Sequence, residues 1–413
     1  MKKSISIVVF CCVSFLGFSQ VRYLDSVFNF IKHSNIVYGS NYDNLNQPTT
    51  LLMDVYEPEN DTITLRPIIF FVHGGSFVGG SRSDQAINKT AQFFCKKGYV
   101  TVNIEYRVEQ TQIITPFLNF AEPLSFYKAI ARVTQDIKAS IRYLKRDAQL
   151  NANQYRVDTT RMFLYGSSAG AIGGLTAVFL NDTLEMSKGF KTAYSELGGL
   201  DGDSGNPGYD IAGIRAVVSC SGATDSFNYL SNNRDIGLLA FHNVPDFVVP
   251  YDVGCFETVF CHLGYFYGSN SLTQKARLLG MNYEYYPINK VGHPVDAESD
   301  SATRVFILQK TTDFLYKILN ASSPTLVRSN EIKSIKCYPN PSNGSITIRI
   351  PEELQFCRTT IQFSDVLGKV AYTATVTGKE QLLLQQESLT DGVYLLTISS
   401  GEKQYVSKII IAH

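Results

Sequence analysis

Short apolar runs alternate with amphipathic stretches from Leu51 to Leu319. The runs Leu51–Glu57, Pro67–His73, Tyr99–Glu105, Arg161–Gly166, Ile214–Cys220, Ile236–His242 and Tyr283–Pro287 have strand length and predict β-strands. Helical spacing of apolar residues predicts helices over Asp84–Lys97, Leu124–Gln149, Ala169–Leu180, Leu272–Gly280 and Ser301–Leu319. Parallel strands need long crossover connections, so this alternation implies an α/β fold: a mostly parallel sheet with helices on both faces.

The pattern changes near Asn320. A small-residue, proline-containing stretch, Ala321–Pro324, predicts a linker. Beyond it, Ile346–Ile350, Thr360–Phe363, Val370–Thr375, Val393–Ile398 and Tyr405–Ile411 predict strands with no helix between them. Asn343-Gly344, Gly368-Lys369 and Asp391-Gly392 supply the turns. The expected organisation is an α/β domain over residues 20–320, a linker over 321–333 and a small all-β sandwich over 334–413.

Residues 1–19 predict a signal peptide. Lys2 and Lys3 precede an apolar stretch, Ile5–Phe18, too short to span a bilayer, and the small residues Gly17 and Ser19 precede Gln20. Cleavage there would leave Cys95, Cys220, Cys255, Cys261, Cys337 and Cys357. Only Cys255 and Cys261 are neighbours, and an exported chain permits a disulfide between them. No cysteine or histidine cluster has zinc spacing. Lys+Arg and Asp+Glu both total 37, and no basic run occurs, so nothing points to nucleic acid.

The candidate chemistry centres on Gly166-Ser167-Ser168-Ala169-Gly170, which lies between a predicted strand and a predicted helix. A sharp strand-to-helix turn needs small residues on both sides of a serine whose hydroxyl it exposes, which makes Ser168 the candidate nucleophile. The helix start behind it aims N–H groups at developing negative charge. His73-Gly74-Gly75-Ser76-Phe77 follows an earlier strand. Glycines there let the backbone approach a tetrahedral oxyanion, and the N–H groups of Gly75, Ser76 and Ala169 are the expected donors.

Six histidines are present: His33, His73, His242, His262, His293 and His413. His293 lies in a loop after Tyr283–Pro287 and before the last helix, where the order Ser…Asp…His puts a general base. The orienting acid should follow Ile236–His242, which makes Asp246 the candidate, with Asp225 and Asp252 as competitors.

On these residues, together with Tyr106-Arg107, Asp158 to Arg161 and Asp246-x-x-Val249-Pro250-Tyr251, residues 34–320 resemble carboxylesterase-type α/β-hydrolases with an H-G-G-G-F-like oxyanion motif. Three positions depart from the pattern. Ser76 replaces the third glycine, His242-Asn243 stands where many relatives have His-Gly, and the elbow reads S-S-A-G where hormone-sensitive-lipase-like relatives read D-S-A-G. The tail, through Tyr338-Pro339-Asn340-Pro341-Ser342-Asn343-Gly344, Asp365-Val366-Leu367-Gly368-Lys369, Gly392-Val393-Tyr394 and Lys408-Ile409-Ile410, resembles the sorting domain of Bacteroidetes type IX secretion cargo. The absence of Trp removes the usual platform of a carbohydrate-binding sandwich.

The two resemblances imply an exported or surface-attached serine carboxylesterase that needs no cofactor. They imply short-chain or polysaccharide-linked acetyl or feruloyl esters as substrates, and the type IX machinery as a partner. Two alternatives share the fold: a serine peptidase of the prolyl-oligopeptidase kind, although no propeller-sized segment precedes Leu51, and a non-catalytic binding module on a hydrolase scaffold.

Overall fold

The computed structural model describes residues 20–110, 120, 122–296 and 301–321. In the tail it describes residues 335, 337–343, 345–350, 354, 359–365, 369–377, 380–385, 389–400 and 403–412. The expected signal peptide, almost all of the expected linker and Cys357 lie outside the described residues. Contacts divide the chain into two units, Met1–Asn320 and Ala321–His413.

Eight strands build the sheet of the first unit: β1 Phe30–Tyr42, β2 Pro48–Pro58, β3 Arg66–Val72, β4 Val100–Ile104, β5 Val157–Ser167, β6 Ile214–Cys220, β7 Gly237–Asn243 and β8 Tyr283–Ile288. Their order is β1-β2-β4-β3-β5-β6-β7-β8. The β1–β2 and β2–β4 pairs are antiparallel, and every later pair is parallel. Helices α1 Gln85–Cys95, α2 Pro123–Leu150, α3 Ala169–Phe179, α4 Lys188–Glu196, α5 Ser269–Leu278 and α6 Ser301–Asn320 belong to the same unit, as does a small antiparallel sheet of Ala223–Thr224, Phe266–Gly268 and Val253–Gly254.

The central strands are apolar throughout because both faces are covered. In β3, Ile68, Phe70 and Val72 join one core with Ile130, Ile137 and Leu175 of α2 and α3. Alternate residues Ile69 and Phe71 join the other core with Phe94 of α1 and Phe314 of α6. The two-residue period of the strand thus feeds two cores at once.

Strand order reverses at β3: β4 lies on one side of it and β5 on the other. Loops leaving the carboxyl ends of β3 and β5 diverge there and leave a crevice, the usual place for a ligand in such sheets. The His73 loop follows β3, and Ser168 follows β5.

The sequence pattern had left out β1 and α4. β1 is an edge strand whose apolar residues Ile31 and Val37 are exposed, so no clean inside–outside alternation marks it. α4 has only Phe190, Ala193 and Tyr194 buried, too short a stripe for periodicity to register.

The second unit contains two antiparallel sheets. One joins Cys337–Tyr338, Ser345–Arg349 and Gln381–Gln385; the other orders Val370–Val376, Thr359–Asp365, Gly392–Ser400 and Lys403–Ile411. Ile346 and Ile348 from the first share a core with Ile361, Phe363, Leu396 and Ile398 from the second. Gln381–Gln385 was not expected; its flanking glutamines obscure a short apolar centre.

Candidate active site

β5 passes into α3 through one residue. Ser167 ends the strand, Ala169 opens the helix, and Ser168 between them has φ 51° and ψ −119°. A non-glycine residue held in that region costs roughly 1–3 kcal/mol and persists only where its surroundings enforce it. The Ser168 N–H donates to the Cys220 carbonyl at 2.8 Å. The flanking glycines are sterically required: a Cβ on Gly166 would lie 2.5 Å from the Gly170 oxygen, and one on Gly170 would lie 2.3 Å from the Val72 oxygen. The motif spacing therefore reflects how closely the elbow packs on itself and on β3.

Ser168 Oγ lies 2.6 Å from His293 Nε2, and His293 Nδ1 lies 2.7 Å from Asp246 Oδ2. Residues from the ends of β5, β7 and β8 thus meet in one line. An ionised carboxylate can only accept, so Nδ1 carries the imidazole proton and Nε2 accepts from the serine hydroxyl. Asp246 Oδ1 accepts the N–H groups of Val248 and Val249 at 2.9 and 3.1 Å. His242 Nε2 lies 3.4 Å from Oδ2. Burial alone would raise the Asp246 carboxyl, but hydrogen bonds from His242 and His293 hold it well below the usual carboxylate range.

The competing acids are engaged elsewhere. Asp225 accepts from the Tyr229 hydroxyl and from the Ser187 N–H, and Asp252 accepts from the Ser271 hydroxyl.

Three side chains hold the His293 loop, and sequence reasoning assigned none of them that task. Asn243 Nδ2 donates to the Gly292 carbonyl at 2.9 Å, and Ser221 Oγ accepts the Val295 N–H at 3.0 Å. Asp296 accepts from Ser167 Oγ at 2.6 Å and from the Tyr165 hydroxyl at 3.2 Å, and burial raises its pKa. The departures from the family pattern at Asn243 and Ser167 thus each make a specific bond. The only sequence signal for Asp296 was its place three residues after His293.

The His73 loop lies against the nucleophile: a Cβ on Gly74 would be 3.2 Å from Ser168 Cβ. Gly75, Ser76 and Phe77 have consecutive positive φ values of 119°, 53° and 65°. The Gly75 carbonyl accepts from Val78 and Gly79, both at 3.0 Å. Among the described residues, no acceptor is bonded to the N–H groups of Gly75, Ser76 or Ala169.

Tyr106 supports this loop from below. Its ring stacks on His73 at 4.1 Å, and its hydroxyl donates to the carbonyls of His73 and Gly74 at 3.0 and 3.2 Å. The next residue, Arg107, is pinned by a buried two-pronged contact to Asp136 of α2, at 2.9 Å from Nε and 2.8 Å from Nη2.

A cavity of 340 Å³ adjoins the site, lined among others by His73, Gly74, Gly75, Asp84, Ser167 and Asp296. Among the described residues, no group of three or more His, Cys, Asp or Glu is placed to hold a metal ion. No helix there is long and apolar enough to cross a membrane. The chemistry open to this arrangement is acyl transfer: a hydroxyl next to an acceptor imidazole, with strained backbone beside it.

Residues 53–239 match the BD-FAE family model, and residues 336–412 match the family model described as the secretion system C-terminal sorting domain. No curated protein sequence matches the chain. Among solved structures, a propionate-bound esterase, Est2, of the planctomycete Thermogutta terrifontis is 16% identical, with a TM-score of 0.47 over 72% of this chain and 97% of that one. A bifunctional GH43-CE protein of Bacteroides eggerthii is 17% identical, with a TM-score of 0.46 over 70% of this chain and 35% of its own length. A truncated carbohydrate esterase from gut microbiota is 16% identical, with a TM-score of 0.46 over 71% of this chain and 98% of that one.

Proposed function

From a chain that joins a BD-FAE domain, an esterase-like α/β-hydrolase, to a secretion sorting domain, we propose an exported serine carboxylesterase. The observation that carries the reading is the hydrogen-bonded line Ser168–His293–Asp246, with Ser168 in a strained elbow. In this mechanism His293 takes the hydroxyl proton as Ser168 attacks the ester carbonyl. The N–H groups of Gly75, Ser76 and Ala169 receive the oxyanion. His293 then protonates the leaving alcohol, and water, activated the same way, releases the acid. No step requires a cofactor.

The substrates are short-chain or polysaccharide-linked esters, acetyl or feruloyl, met outside the cell. The sorting domain implies passage through the type IX machinery, followed by release or surface attachment.

A fluorophosphonate probe is expected to label the protein on the peptide carrying Ser168. A panel of acetyl, butyryl, octanoyl and feruloyl esters, assayed beside matched amides, should show ester cleavage only. Faster amide cleavage would move the protein to the peptidases, and absent labelling would make it a binding module.

The tail has its own apolar core, drawn wholly from residues Ile335 to Ile411. Residues 21–325 are therefore expected to fold and cleave the same esters as the full-length protein. An insoluble or inactive shortened chain, assayed beside an active full-length one, would contradict this. In the native host, loss of the tail should stop export instead.

A further inference from the structure

The loop that follows Asp246 contains a feature that the ester-cleaving mechanism does not use. Cys255 and Cys261, the pair expected from the sequence, are joined by a disulfide. The turn they close holds Glu257 and Thr258 at φ 46° and 60°, left-handed values that neither residue type favours. Two contacts run from this turn toward opposite sides of the site.

The first is a backbone bond. With its φ positive, Glu257 donates its N–H to the Val248 carbonyl at 2.8 Å. Val248 in turn donates its own N–H to Asp246 Oδ1 at 2.9 Å. One residue thus separates the closed turn from the carboxylate facing His293.

The second contact is aromatic. Phe256, fully buried inside the turn, packs edge-on against Phe126 of α2 with ring centroids 5.0 Å apart. Phe126 packs edge-on against Phe77 at 5.6 Å, and Phe77 directly follows Ser76 in the oxyanion loop. Phe266 closes the cluster at 4.7 Å from Phe256.

We propose that the disulfide-closed turn Cys255–Cys261 is a positioning element for the reaction: it sets Asp246 through the Glu257 N–H and the oxyanion loop through the Phe256–Phe126–Phe77 stack. The inference rests on the triad reading above. Without the cross-link, nothing covalent keeps Glu257 and Thr258 in their left-handed backbone, and relaxation toward ordinary φ withdraws the N–H from Val248. The acid and the oxyanion donors then lose alignment together. The expected signature is a loss of turnover, because both contacts serve groups that act most strongly in the transition state.

The test uses the full-length protein and the Cys255→Ser/Cys261→Ser double variant, with kcat and KM measured on a short-chain ester. We expect kcat to fall about tenfold to a hundredfold, the cost of a misplacement on the ångström scale. KM should stay within about twofold. A purely structural disulfide would lower the melting temperature and leave kcat of the folded variant at the wild-type value.

Phe256→Ala, made with the disulfide intact, tests the second contact and covers the case in which the double variant does not fold. It should lower kcat, and Phe256→Leu should restore most of the loss. A folded double variant with wild-type kcat overturns the proposal, and so does a Phe256→Ala variant with wild-type kcat. A wild-type protein that neither labels nor cleaves esters instead overturns the triad reading.

Discussion

Ser168→Ala is expected to abolish ester hydrolysis, with a loss of roughly four to six orders of magnitude in kcat. The argument is geometric. Ser168 is the elbow residue, at φ 51°, and its hydroxyl lies 2.6 Å from an imidazole nitrogen that can accept its proton. Alanine leaves the backbone of the elbow unchanged in kind and removes only the attacking oxygen. Ser167 is the internal control. Its hydroxyl donates to the buried Asp296 and makes no bond to His293 among the described contacts. Ser167→Ala should therefore keep most of the activity while costing stability, about 1–3 kcal/mol for a buried acceptor deprived of its donor. Steady-state kinetics and urea unfolding on both variants decide the matter. A folded Ser168→Ala protein with near-normal turnover would remove Ser168 from the mechanism.

Asp246→Asn is expected to cut kcat by roughly three to four orders of magnitude while the fold survives. An amide in place of the carboxylate can present its NH₂ to Nδ1, which favours the wrong imidazole tautomer, and it leaves the imidazolium formed during attack without a counter-charge. Asp225→Asn and Asp252→Asn should stay close to wild type, because their carboxylates bond Tyr229, Ser187 and Ser271 instead of His293. A large loss in either of those, with Asp246→Asn unaffected, would mean that the acid has been misassigned.

The same carboxylate gives a stability signature with a definite sign. Folding lowers the Asp246 pKa, so its ionised form favours the native state at neutral pH. That contribution is complete above the unfolded value of about 3.9 and is lost as pH falls toward the folded value. Asp246→Asn should lack this part of the acid sensitivity, which denaturant unfolding measured from neutral to acidic pH would show.

Much of this protein was legible in its sequence, for reasons that are local. The strand-to-helix elbow announces itself because only small residues tolerate a Cα approach as close as that of Gly166 and Gly170. β3 reads as an unbroken apolar run because each of its faces meets a helical layer. His293 and Asp246 could be singled out as candidates from chain order because strand succession in this topology places their loops at neighbouring strand ends, and β7 and β8 do pair in parallel.

What the pattern could not reveal were relations between residues far apart in the chain. β1 is an edge strand specified by its pairing to β2 more than by its own alternation. Tyr106 stood out only as a family mark, and its hold on the His73 and Gly74 carbonyls depends on β3 and β4 lying side by side. The bond from Ser167 to Asp296 spans 129 positions, and no periodicity carries such a pairing. Local patterning determines which elements form and which residues can do chemistry. Tertiary packing decides which side chains hold those residues in place, because a hydrogen bond or an aromatic contact depends on distance in space and has no period along the chain.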